Sequence, residues 1–97
     1  MRVGYSPRAI SDLAGIADYL VKRSPRGAES VDRSIRKTVE LIAAFPGSGR
    51  PLEQRSAVRV LPVGRYPYLV FYTVREDEVV ILHIRHGARA RVDPSQL

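Results

Sequence analysis

From Pro7 to about Arg23 the apolar residues Ile10, Leu13, Ile16, Ala17, Leu20 and Val21 recur at three- and four-residue spacing. That spacing marks one face of an amphipathic helix. Ser6-Pro7 supplies its start: a hydroxyl to cap the first turn, then a proline where the missing N–H costs nothing. The same pair returns at Ser24-Pro25, so a second helix runs to about Phe45, with Val31, Ile35, Val39, Ile42 and Phe45 on its buried stripe. Two helices joined almost without a loop predict an antiparallel hairpin. Pro46-Gly47-Ser48-Gly49-Arg50-Pro51 cannot continue a helix and reads as a loop. Beyond it the period falls to two, predicting strands over residues 57–61, 66–74 and 79–85, with turns at Pro62-Val63-Gly64 and Glu76-Asp77-Glu78. Pro67 lies near the start of the long strand, where a lost donor is tolerated. With a short extended segment at Arg2–Tyr5, the order is β-α-α-β-β-β. It predicts an α+β fold in which the helical hairpin packs on one face of a three-stranded antiparallel meander.

At 97 residues the chain has room for one core, and residues 1–97 are read as a single domain. Its end, 87–97, carries no periodicity and is expected to be a mobile tail. The absence of cysteine excludes disulfides, thiolate metal sites and cysteine nucleophiles. Two histidines make a protein-only transition-metal site improbable, and no motif calls for a cofactor. Apolar runs are too short to span a membrane, and the first residues lack the apolar stretch of a secretory signal. A cytoplasmic domain is expected.

Charge adds the first functional hint. Sixteen Lys and Arg against ten Asp and Glu leave a net charge of +6, and only Lys22 and Lys37 are lysines. Arginine binds phosphate or carboxylate in two places at once and stacks on bases and rings. Such a surface suits nucleic acid or an acidic protein partner; it also suits a solvated surface under codon bias.

The candidate chemistry lies between Arg59 and Arg91. If the strand over 57–61 turns Val58 and Val60 to the helices, Arg59 projects from the other side, away from the core. Arg65 lies in the turn before the long strand. Arg85, His86, Arg89 and Arg91 leave the end of the last strand, so several arginines are expected around an uncovered, basic sheet face. Tyr66, Tyr68 and Tyr72 either stack on bases there or complete the core with their hydroxyls at its edge. His86 has the side chain suited to proton transfer near neutral pH. His83 reads as a structural histidine, Asp12 and Asp18 as ordinary solvated acids, and Gly47-Ser48-Gly49 as a turn rather than a phosphate-binding loop.

Several segments occur together at characteristic distances: Tyr5-Ser6-Pro7-Arg8-Ala9, Phe45-Pro46-Gly47-Ser48-Gly49-Arg50-Pro51, Val58-Arg59-Val60-Leu61-Pro62-Val63-Gly64-Arg65-Tyr66, Tyr68-Leu69-Val70-Phe71-Tyr72-Thr73-Val74, and Val80-Ile81-Leu82-His83-Ile84-Arg85-His86-Gly87-Ala88-Arg89. In this order the chain resembles the RelE/ParE superfamily of toxins from bacterial type II toxin–antitoxin modules, over essentially its whole length. The resemblance implies a toxin neutralised by a cognate antitoxin, forming a toxin–antitoxin hetero-oligomer.

RelE-like members cleave mRNA on the ribosome with basic residues on the sheet, an arginine after the last strand and a tyrosine or histidine near the C-terminus. Here the third-strand arginine position aligns with Leu69, Arg89 matches the arginine after the strand, and no tyrosine or histidine follows Gly87. A ribonuclease would rely on His86, Arg59, Arg65 and Arg89. ParE-like members, which poison DNA gyrase, match better in the hairpin and in the Gly-Ala-Arg ending. On that side Arg59, Arg65, Arg85, His86, Arg89 and Arg91 become a binding surface for the target. The charge implies an antitoxin with an acidic, partly disordered segment that folds as it binds.

Overall fold

The computed structural model describes residues 1–87, so the tail expected at 87–97 lies, apart from Gly87, outside the described residues. Strand β1 (Arg2–Tyr5) leads into helix α1 (Pro7–Arg23) and helix α2 (Pro25–Ala44), followed by β2 (Arg50–Pro51), β3 (Val58–Pro62), β4 (Tyr68–Arg75) and β5 (Glu78–His86). The sheet order is β1-β5-β4-β3-β2, with β1 parallel to β5 and every other pair antiparallel. This is the expected α+β arrangement with one addition. Arg50–Pro51, read as loop, pairs with Val60 and Arg59 as a two-residue edge strand.

The helix starts follow the Ser-Pro signals. Ser6 Oγ accepts from Ala9 N at 3.1 Å, and Ser24 Oγ accepts from Gly27 N at 3.0 Å. Ser24 also closes α1, because its N–H donates to Leu20 O at 2.7 Å. One extended residue therefore ends one helix and caps the next, leaving no room for a longer loop.

The sheet carries a core on each face. On the helix side, Val31, Ile35, Val39 and Ile42 of α2 meet Val70, Tyr72, Val79, Ile81 and Ile84. On the other side Val58, Val60, Phe71 and Leu82 form a second cluster, with Leu52, Leu69 and Val80 against it. Val58 and Val60 thus turn away from the helices, opposite to the sequence expectation. Both faces of β3 carry apolar residues, so alternation alone does not say which face meets the hairpin.

The helices also differ from expectation. Phe45 was placed on the buried stripe but is 65% exposed, and Ile10 and Val21 of α1 are 59% and 54% exposed. The β4–β5 register slips at one point: Phe71 pairs with His83 and Tyr72 with Ile81, leaving Leu82 as the extra residue of a bulge.

Candidate target-binding and partner-docking surfaces

Among the described residues, Arg59 stands apart from the other predicted arginines. Arg59 pairs with Tyr72 across β3 and β4 and so lies on the helix side. Its guanidinium donates to Gly49 O at 2.6 Å and to Gly47 O at 3.4 Å. The Tyr72 hydroxyl works on the same loop, donating to Pro46 O at 2.7 Å and accepting from Gly49 N at 2.8 Å. Gly49 has to be glycine here, since a Cβ would sit 2.7 Å from the Tyr72 hydroxyl and 3.0 Å from Val60 O. Arg59 and Tyr72 together fasten the chain leaving α2 to the sheet.

Arg65 is exposed in the β3–β4 turn, 5.6 Å from the Tyr66 ring. Arg85 and His86 close β5 beside that turn, where Gly87 N donates to Pro67 O at 2.6 Å. Neighbouring strand residues face opposite ways. Arg85 stands over Phe71, at 5.6 Å, on the face away from the helices, while His86 meets the Tyr68 ring edge-on at 5.5 Å on the helix side. Arg65, Arg85 and His86 therefore share one end of the sheet, Arg59 is tied to the loop after α2, and Arg89 and Arg91 lie outside the described residues.

Of the two uses open to the tyrosines, the core takes them. Tyr68 and Tyr72 are buried in the helix-side core and Tyr66 packs against it. The sheet face away from the helices is lined mainly by aliphatic side chains and Phe71, rather than by the basic set expected. Burial also holds the Tyr5 phenol above its ordinary value of 10.0, with Arg36 acting in the opposite direction.

Two features were not legible beforehand. The first is an acid–imidazole pair. His83, buried as expected for a structural histidine, donates from Nδ1 to Asp12 Oδ2 at 2.6 Å, and its ring stacks on Phe71. The same Oδ2 also accepts from Ile84 N at 3.0 Å. Asp12, read as an ordinary solvated acid, is thus built into the sheet edge. The second feature is on α1, where Ile10, Ala14, Ala17 and Val21 are all exposed. Their spacing of four, three and four residues aligns them in one stripe about 16 Å long.

A family model described as the ParE toxin of the type II toxin–antitoxin system parDE matches residues 3–91. The chain belongs to this toxin family. Toxin RelE2 of Caulobacter vibrioides is 33% identical to it over 88 residues, 91% of this chain and 97% of that one. Toxin RelE3 of the same organism is 32% identical over 89 residues, 92% of this chain and 97% of that one. Among solved structures, the chromosomal ParDE toxin–antitoxin system from P. aeruginosa matches with a TM-score of 0.76 and 30% identity, over 89% of this chain and 95% of that one.

For a type II toxin the surroundings of Leu69 are informative. Leu69 lies opposite Arg85 in the β4–β5 register and packs against the cluster on the face away from the helices. Leu69 thus presents an aliphatic side chain on that face, beside Arg85. Membership of the family implies an antitoxin partner for this toxin. Among the described residues no helix is long and apolar enough to cross a membrane, and no group of three His, Cys, Asp or Glu side chains is placed to hold a metal ion.

Proposed function

We propose that this toxin acts by binding rather than by cleavage, as a poison of DNA gyrase, and that its antitoxin neutralises it by laying an amphipathic helix on α1. RNA cleavage needs a base for the 2′-hydroxyl proton, an acid for the leaving oxygen and cations about one phosphate. The observation that favours binding is the dispersal of those groups. Arg59 is engaged by the Gly47 and Gly49 carbonyls, and His86 and Arg85 occupy opposite faces of β5. Poisoning requires only a surface complementary to one state of the target, because holding that state is a matter of differential affinity. Arg65 and Arg85 at the end of the sheet supply cations for that surface, and Arg89 and Arg91 follow in sequence.

For the antitoxin, the exposed stripe Ile10-Ala14-Ala17-Val21 supplies an apolar strip for a helix, with small residues at its centre that permit close approach. The net charge of +6 favours an acidic partner. The test sets purified antitoxin-free toxin in a gyrase supercoiling assay that detects trapped cleaved DNA, beside a translating extract in which mRNA is mapped for cuts. Trapped DNA with intact message is the expected outcome. Ribosome-dependent cuts without gyrase inhibition would replace this reading with mRNA cleavage.

A further inference from the structure

Strand β5 is supported unevenly. Along one side it pairs with β4 as far as Tyr68 and His86. Along the other, its pairing with β1 stops at Tyr5 and Ile81. Past that point, among the described residues, no strand continues the sheet. Side chains near the start of α1 take the vacated backbone groups instead. Ser6 Oγ donates to Leu82 O at 2.8 Å, and Asp12 Oδ2 accepts from Ile84 N at 3.0 Å. Asp12 also holds the His83 imidazole at 2.6 Å, and that ring lies on Phe71, the same ring over which Arg85 stands. The contact falls one residue beyond the bulge at Leu82, where the β4–β5 ladder itself is interrupted.

We infer that Asp12, acting through His83 and the Ile84 amide, is a positioning residue for the target-contacting end of β5, Arg85 and His86. The inference rests on the reading that these two side chains meet the target. A carboxylate accepting two hydrogen bonds at a sheet edge, one of them from a buried imidazole, costs desolvation that an apolar contact would avoid. In return it holds residues 83 and 84 in place, directly before the pair that matters. Asp12 touches the target in no part of this scheme; it sets the direction in which the Arg85 and His86 side chains project from β5.

A mutant cycle on the full-length toxin tests this. Potency is read as growth arrest on expression, which is indifferent to the target, and as trapped gyrase–DNA; antitoxin affinity and thermal melting are measured alongside. Asp12→Ala is expected to weaken potency about tenfold while antitoxin affinity stays within about threefold, because the α1 stripe is untouched. Asp12→Asn keeps an acceptor at the same place and is expected to restore most of the potency. The amide resonances of Arg85 and His86 should shift in Asp12→Ala and return in Asp12→Asn. In an Arg85→Ala/His86→Ala background, Asp12→Ala should add less than about a twofold loss, since a positioning residue has nothing left to position. A purely structural role would add its full effect there.

Undiminished potency of a folded Asp12→Ala toxin overturns the inference, as does a loss of antitoxin affinity in proportion to potency. If Asp12→Ala does not fold, the same cycle is run with His83→Gln, and an additive result there overturns it equally. Arg85→Ala/His86→Ala at full potency would refute the target-contact reading instead. Growth arrest by the wild type without gyrase inhibition would refute only the choice of gyrase.

Discussion

The two helices of the hairpin begin with the same Ser-Pro signal and carry similar apolar patterns, yet they are used differently. Helix α2 buries Val31, Ile35, Thr38, Val39 and Ile42, and the chain leaving it is fastened by Tyr72 and Arg59. Helix α1 fully buries only Ala9 and half-buries Leu13, Ile16 and Leu20, which leaves a second apolar stripe facing outward. An apolar band wider than one core contact needs is a signature of a helix with two partners. The difference fits the proposed docking of an antitoxin helix on the outer face of α1, whereas α2 gives its main apolar stripe to the core.

The sharpest way to break that comparison is to shorten one apolar side chain on each helix. Ile42→Ala, at a fully buried site, is expected to cost about 3 kcal/mol of stability. Ile10→Ala on α1 should change stability by less than about 0.5 kcal/mol. Denaturant titration of the two variants checks both, and equal losses would erase the distinction. The complementary change is Ala17→Arg, which puts a long charged side chain in the middle of the exposed stripe. Antitoxin affinity should fall about thirtyfold, or about 2 kcal/mol, with melting unchanged. Calorimetric titration against the cognate antitoxin reads it, and unchanged affinity would move the docking surface off α1.

These roles were only partly legible in the sequence. Helix starts and the change of period from three or four to two are local signals, so the hairpin and the meander followed from residues close together. The use of each helix face did not, because Ile10 and Ile16 look alike until their neighbours are placed. The edge strand Arg50–Pro51 is two residues long and exists only through its pairing with β3. No glycine marks the bulge at Leu82. Asp12 and His83 are 71 residues apart, and nothing in either neighbourhood announces the other. The arginine cluster was inferred from alternation along the strands and from positions at their ends; the side of the sheet that Arg59 occupies depends on which of two apolar faces the hairpin covers.

Smaller effects sharpen the contrast at the ends of the helices. Tyr72→Phe removes the hydroxyl that holds Pro46 O and Gly49 N, leaving a buried donor without its partner. It should cost about 1.5 kcal/mol by denaturant titration. The loop after α2 should then exchange its amide protons faster while the α1 amides keep their protection.

Ser24 is the finest probe, because its backbone ends α1 while its side chain starts α2. Ser24→Ala leaves the N–H that donates to Leu20 O and deletes only the oxygen that accepts from Gly27 N. The expected loss is about 1 kcal/mol, the usual cost of removing a helix N-cap. Protection from amide exchange should fall in the first turn of α2 and stay unchanged in the last turn of α1. Fraying of both turns together would mean that the helices behave as one cooperative unit at their junction. In that case the division of labour between them would begin only beyond the tip, where α2 meets the core and α1 turns its stripe outward.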